Sequence, residues 1–189
     1  VMISDDSLLI PGSIMNGLNY FEDLTLQGRT IGALAYYFRN WPEQKDYFVR
    51  TTLGDKVCVN HGMFLNSALE DVGWIDEERY QFYHADGDLC LKLWQRGYEV
   101  VDCPHAFVEH FRHANSKIRQ HNMQKQKDDW AAYLNRWNGI FYDIDKDDTG
   151  GWIYSDYYDH SKTVKNFPKL PAYKMLLISA LVKLKGKFD

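Results

Sequence analysis

Cysteine, proline and long apolar runs are all scarce in this sequence of 189 residues. Three cysteines, Cys58, Cys90 and Cys103, are too scattered for a CxxC pair or a zinc-finger spacing. They exclude a disulfide scaffold and point to a reducing, cytoplasmic compartment. No apolar run reaches the roughly 20 residues of a membrane-spanning helix. The best stretch, Met175 to Leu184, is too short and carries Lys183. GxSxG, HExxH and P-loop lysine motifs are missing, which removes the hydrolase, zincin and nucleotide-triphosphatase readings that rest on them. No signal peptide opens the chain and Val1 is not an initiator residue, so the chain is expected to begin inside a larger protein. No repeat or low-complexity tract is visible.

What is present is an ordinary globular composition, 45% hydrophobic and 25% charged, which excludes disorder of the whole chain. Aromatics are abundant, with 13 Tyr, 10 Phe and 6 Trp. They suit a large core and also line sugar and base sites. The net charge of −4 hides an asymmetry. Residues 1–115 hold 9 Lys+Arg against 17 Asp+Glu, a net of −8, and residues 116–189 hold 13 against 9, a net of +4. A nucleic-acid partner is therefore not expected, while a local basic surface near the C-terminus is.

Hydrophobic spacing predicts alternating strands and helices, hence an α/β fold with a helical appendage from about residue 115. Val1–Ser4 reads as a short buried strand. Pro11-Gly12-Ser13 opens a helix running to about Asp23. Thr30–Phe38 reads as a strand, Arg39–Arg50 as a loop, Lys56–Asn60 as a strand and Met63–Val72 as a helix ended by Gly73. Asp76–Tyr83 is an acidic, aromatic loop. Asp86–Arg96 is the clearest helix, with Leu89, Leu93 and Trp94 on its apolar face and Gly97 after it. Tyr98–Val101 and Ala106–Val108 follow as strands, and Ser116–Trp137 as a long polar helix. A turn-rich segment, Asp143–Tyr158, and a last helix, Ala172–Lys185, complete the chain.

Three constellations carry chemistry. Ser4-Asp5-Asp6 places two carboxylates at a strand end, a cation site or a pair of turn residues. Asp86 stands at the start of a strong helix, where the dipole stabilises a carboxylate; it is a general base or a cap. His110 follows a short strand and can ligate a metal or move a proton, whereas His113 reads as a surface residue. Asp143-x-Asp145-x-Asp147 imitates the start of a calcium loop, but Asp148 stands where Gly is needed and Tyr154 where Glu is needed.

Three stretches together resemble a known family. They are Ser-Asp-Asp at residues 4–6, Val-Asn-His-Gly-Met-Phe-Leu-Asn-Ser-Ala-Leu-Glu-Asp-Val-Gly-Trp-Ile-Asp-Glu at 59–77, and Ala-Asp-Gly-Asp-Leu-Cys-Leu-Lys-Leu-Trp-Gln-Arg-Gly-Tyr-Glu-Val at 85–100, followed by Val108-Glu109-His110. Over residues 1–115 the chain looks like the second half of a GT-A fold glycosyltransferase of family 2, the inverting nucleotide-sugar enzymes. The acidic motif reads Ser-Asp-Asp where the family usually has Asp-x-Asp, and Ala85-Asp86 stands where it has Glu-Asp.

The resemblance implies a partial GT-A mixed sheet with flanking helices. Residues 1–115 would form its acceptor- and metal-binding half, and 116–189 a helical, aromatic-rich extension. It implies Mn2+ or Mg2+ held through Asp5, Asp6 and His110, with Asp6 the direct ligand and Asp5 near the metal or the donor ribose. Asp86 becomes the catalytic base and Gly62 the small residue near the donor sugar. Trp74, Asp76 and Glu77 lie on the loop leading to the acceptor. The implied partners are a nucleotide-sugar donor, a glycan or lipid-linked acceptor, and an N-terminal nucleotide-binding half that precedes the acidic motif in the family.

Two other readings use the same residues. One is a non-catalytic carbohydrate-binding or interaction module that retains the fold. The other is a metal-dependent phosphotransferase or hydrolase, disfavoured because no glycine-rich phosphate loop is present. Residues 162–189 hold seven lysines and one acidic residue, with Leu176, Leu177, Ala180, Leu181 and Leu184 at helical spacing. That pattern reads as a basic amphipathic helix, either in peripheral contact with an anionic membrane or packed on the domain.

Overall fold

The computed structural model describes residues 1–41, 44–111, 125–146 and 150–154. The chain is α/β, and the described residues form a mixed seven-stranded sheet and four helices. The elements are β1 (Ser7–Leu9), α1 (Ser13–Leu26), β2 (Ile31–Asn40), β3 (Phe48–Thr52), a 3-10 turn (Leu53–Asp55), β4 (Lys56–Cys58), β5 (Gly62–Phe64), α2 (Asn66–Val72), α3 (Ala85–Gln95), β6 (Glu99–His110), α4 (Gln126–Trp137) and β7 (Trp152–Tyr154). The sheet order is β1-β6-β2-β3-β4, with β5 also on β2 and β7 on β3.

β2 is the organising strand. Every residue from Ile31 to Phe38 is buried. Because side chains alternate faces along a strand, Ala33, Ala35 and Tyr37 enter one core cluster, and Leu34, Tyr36 and Phe38 enter another. The first is completed by Ala68 of α2 and by Cys90 and Leu93 of α3. The second takes Leu24 of α1. Helices thus cover both faces. A third cluster joins Leu53, Tyr80 and Leu91 to Tyr133 and Trp137 of α4, so α4 shares a core with α3. All three cysteines are free and buried.

Several boundaries differ from the sequence reading. Met2 makes only an isolated bridge to Gly62, and Val1 and Ile3 are exposed. The strand forms after Asp5-Asp6 rather than before it, because Ser7–Leu9 pairs antiparallel with Val108–His110. Met63 and Phe64 are strand, not helix: with Gly62 they pair with Ala33–Ala35 of β2, and the helix starts only at Asn66. Arg39 and Asn40 continue β2 rather than opening a loop, since β6 pairs with them to its end.

The two short strands predicted at Tyr98–Val101 and Ala106–Val108 are one, β6. Its register on β2 jumps from Cys103 to Phe107, so residues around Pro104 bulge out. α1 secures the bulge: Ser13 Oγ donates to the Phe107 carbonyl and accepts from its N–H, and Asn16 Nδ2 donates to the His105 carbonyl. The predicted helix 116–137 is helical over Gln126–Trp137. The predicted helix 172–185 and its lysines lie outside the described residues. Among the described residues no helix is long and apolar enough to cross a membrane.

Candidate active site

β2 and β6 are parallel and end at the same edge. Carboxyl ends of parallel strands are where α/β sheets commonly bind ligands. Arg39 and Asn40 lie opposite Glu109 and His110. Since neighbouring side chains take opposite faces, two cross-strand pairs form back to back. Arg39 clamps Glu109 through Nε (2.8 Å to Oε2) and Nη2 (2.7 Å to Oε1), and the Tyr47 hydroxyl donates to Oε1 at 2.7 Å. On the other face, His110 Nδ1 lies 2.7 Å from Asn40 Oδ1.

β1 flanks β6 on its other side, with Ser7 opposite His110. The Phe111 N–H donates to the Asp6 carbonyl at 2.7 Å. This pairing sets the Asp6 carboxylate against the second ring nitrogen of His110, Oδ1 to Nε2 3.3 Å. Ser4 Oγ donates to the same oxygen at 2.6 Å. The bond to His110 above all, helped by Ser4, outweighs burial and holds the Asp6 carboxyl down at about 2. Asp6 is thus an ionised acceptor at neutral pH. Asp5 is exposed and turned to solvent.

The donor set fits a hard to borderline divalent cation. A carboxylate oxygen and an imidazole nitrogen converge, which suits Mn2+ well and Mg2+ acceptably. Beside them, His61 is 3% exposed and its Nδ1 has no hydrogen-bond partner among the described residues. Its ring centroid is 5.4 Å from that of His110. Burial first, with the neighbouring His110 adding to it, pushes His61 down to about 3, so its ring is neutral. Among the described residues no group of three or more His, Cys, Asp and Glu converges as a metal shell. Asp6 and His110 are the two candidate ligands that meet, and a cation there would need water or substrate oxygens for the rest of its shell.

Asp86 occupies the first turn of α3 and is half-buried. Oδ1 accepts from the Gly87 N–H at 2.9 Å, and Oδ2 accepts from Asn60 Nδ2 at 2.5 Å. Asn60 and His61 are adjacent in the loop between β4 and β5. One contacts the candidate base and the other adjoins the candidate metal ligand, so this dipeptide links the two halves of the site.

The turn before α3 is held by α4. Asp129, 1% exposed, accepts the N–H groups of Gln81, Phe82 and Tyr83 at 2.7–2.9 Å. Burial alone would raise its pKa, but these three donors outweigh it and hold the carboxyl below its ordinary value. His84 then takes a left-handed conformation, φ 65°, and its ring stacks on Tyr133 and leans on Trp130. A cleft of about 410 Å3 opens there, lined by His84, Gln126, Lys127 and Trp130.

The remaining predicted residues fall in different surroundings. Trp74 is half exposed at φ 57° and its carbonyl accepts from Lys92. Asp76 is engaged by Arg79 and by Arg136 of α4, at 3.2 and 2.8 Å. Glu77 is exposed. Gly62 opens β5, where there is no room for a side chain. A Cβ would lie 2.0 Å from the Leu34 carbonyl oxygen and 2.7 Å from Val59 Cγ1, so glycine is needed for the close β5–β2 pairing. In the false calcium loop, Asp143 Oδ1 accepts from the Asp145 N–H and its carboxylate pairs with Lys146, while Asp147 lies outside the described residues.

Asn40, Asn60 and His61 carried no assignment in the sequence reading. Asn60 and His61 stand immediately before Gly62 in the stretch that carries the resemblance. Nothing in the sequence marks Asn40, because its place depends on β2 outlasting its apolar run. No protein-family model, no curated protein and no solved structure matches the chain.

Proposed function

We propose that this chain carries the acceptor- and metal-binding half of a GT-A type glycosyltransferase, transferring a sugar from a nucleotide-sugar donor to an acceptor hydroxyl with inversion. The observation that carries this reading is the meeting of two groups far apart in sequence. Asp6 and His110 converge at 3.3 Å on the sheet's carboxyl edge, and Asp86, on α3, is bonded to Asn60, the neighbour in sequence of His61, whose ring adjoins that of His110. The resemblance over residues 1–115 names the same three residues.

Asp86 accepts the proton of the acceptor hydroxyl as that oxygen attacks the anomeric carbon. Gly87 N–H and Asn60 Nδ2 hold the carboxylate oxygens in place for that transfer. Attack from the face opposite the diphosphate inverts the centre. Asp6 and His110 would hold a divalent cation, which would supply charge neutralisation for the leaving diphosphate. Asp5, exposed beside Asp6, is free to meet the donor's ribose. Trp130 offers a ring face for an acceptor sugar in the cleft beside His84. The lysine-rich segment 162–189 suits an acceptor held at an anionic membrane surface.

The test is sugar transfer by the intact protein from a panel of nucleotide-sugars, with Mn2+ and with chelator. Chelation should abolish transfer and added Mn2+ restore it. Full transfer in excess chelator, with metal removal verified, overturns the metal role. Carbohydrate binding without transfer from any donor favours the non-catalytic module.

A further inference from the structure

Behind His110 runs a short chain of hydrogen bonds whose donors and acceptors can be assigned one by one. It begins at a backbone amide. The Asn40 N–H can only donate, so the Gln44 side-chain atom 3.1 Å from it is the carbonyl oxygen Oε1. The same oxygen lies 2.7 Å from the Asn40 side-chain amide. Two acceptors would repel there, so the Asn40 atom facing Gln44 is Nδ2. Its remaining amide atom, Oδ1, therefore faces His110 Nδ1 at 2.7 Å. Nδ1 must carry the hydrogen. In a neutral ring the lone pair is then on Nε2, the nitrogen aimed at Asp6 Oδ1.

Backbone pairing holds this arrangement in place. Asn40 and His110 are register partners at the ends of two parallel strands. The Trp41 N–H donates to the His110 carbonyl at 2.9 Å. Phe38 meets the rings of both His61 and His110 edge-on. The ring therefore faces an acceptor at each nitrogen, Asn40 Oδ1 at 2.7 Å and the Asp6 carboxylate at 3.3 Å; the nearer one takes the hydrogen of a neutral ring, and a cation on Asp6 would stand in place of a proton on the other nitrogen.

We infer that Asn40, held by Gln44, is a positioning residue that keeps His110 in the Nδ1–H tautomer, so that the Nε2 lone pair is presented to a divalent cation on Asp6. The inference rests on the metal-binding role proposed above for His110. Outer partners of this kind orient metal-ligating histidines, and losing one costs roughly 10–100-fold in metal affinity.

The experiment uses the full chain, freed of metal, with 15N-labelled histidine. Long-range 1H–15N spectra at about pH 9, where imidazoles are neutral, read the tautomer of each ring. A His110→Gln variant assigns the signal. Mn2+ affinity is read separately, from the electron paramagnetic resonance signal of the free ion. Wild type should show His110 as Nδ1–H. Asn40→Leu should shift it toward Nε2–H and weaken Mn2+ binding by roughly 10–100-fold. Asn40→Asp gives up the donor toward Gln44 but keeps an acceptor toward His110, and should retain the tautomer and bind Mn2+ more tightly than Asn40→Leu. A purely structural role for Asn40 would make the two variants fail alike. Should Asn40→Leu not fold, Gln44→Leu tests the relay from its other end, since the Asn40 amide is then free to turn.

A wild-type ring in the Nε2–H form overturns the relay whatever the metal does. Unchanged Mn2+ affinity in Asn40→Leu overturns it as well. A wild type with the Nδ1–H ring but no Mn2+ binding defeats the metal reading instead, and so separates the two failures.

Discussion

Asp86 and Asp88 stand two residues apart in the first turn of α3 and meet opposite surroundings. Asp86 is half-buried, with one side-chain hydrogen-bond partner among the described residues, Asn60. Asp88 is fully buried: Oδ1 accepts from the Tyr80 hydroxyl and from Trp137 Nε1, both at 2.9 Å, and lies 3.2 Å from Arg136 Nε. Successive side chains on a helix point about 100° apart, so a shift of two positions carries a carboxylate from the sheet side to the α4 side. A carboxylate with fixed donors on a buried oxygen is a latch. One with a single side-chain partner, near a cleft and the sheet edge, retains capacity for a reacting proton. The same dipole favours both, so it cannot tell them apart.

The sharpest way to break this comparison is Asp86→Asn. The amide keeps the shape and cannot accept the acceptor's proton. Transfer by the intact protein should fall by roughly 10²–10⁴-fold, with the unfolding midpoint little changed. Near-normal transfer would remove Asp86 as the base.

Acid should act next most strongly, through His61. Its ordinary imidazole value is 6.5 and burial lowers it to about 3 in the folded chain. Between those values the unfolded chain binds the proton and the folded chain does not. Stability is therefore fully present above about pH 6.5 and lost as pH falls toward 3. From pH 6.5 to 4 the loss is about 3 kcal/mol. Burial also lowers His84, which adds in the same direction. The readout is thus the difference between wild type and His61→Leu in denaturant unfolding of the metal-free protein. An identical pH slope in the two would refute the assignment.

Asp88→Ala tests the other half of the comparison. It strips Tyr80 and Trp137 of their acceptor and removes one of the two carboxylates that Arg136 meets among the described residues. Breaking a buried charged network of this kind costs about 3 kcal/mol. Denaturant midpoints should show a loss several times that of Asp86→Asn. Equal losses would mean that both carboxylates serve the fold.

Much of the fold was legible because the apolar spacing is strong. α1, β2 and α3 appear where the pattern places them, and Gly73 ends α2 in the left-handed conformation as expected at φ 77°. What escaped depends on partners remote in sequence. β2 outlasts its apolar run because Arg39 finds Glu109 across the ladder. β6 bridges Pro104 because α1 supplies Ser13 and Asn16 to the bulge. Met63 and Phe64 have helix-compatible spacing, but β2 offers an edge that strand pairing fills. The site divides the same way. Asp6, Asp86 and His110 could be picked out as residue types in motifs. Asn40 and His61 gain their places only from β2–β6 pairing and from the turn before β5.

The smallest expected effect comes from the pair that the sequence presents as equals. Asp5 and Asp6 are adjacent carboxylates, and a motif reading assigns both to the metal. β1 separates them. Its pairing with β6 sets Asp6 against His110, and the turn that precedes β1 leaves Asp5 outside. Asp6 is held by Ser4 and His110, whereas Asp5 faces solvent. A solvated carboxylate at the rim gives a cation little beyond a screened long-range attraction. Asp5→Asn should therefore alter Mn2+ affinity by no more than about twofold, well under 1 kcal/mol. Asp6→Asn, which removes a ligand charge, should weaken it by at least tenfold or so. If Asp5→Asn instead weakens Mn2+ binding as much as Asp6→Asn, the two carboxylates share the ion. The turn at residues 4–7 would then have to rearrange when metal binds, bringing Asp5 in from solvent.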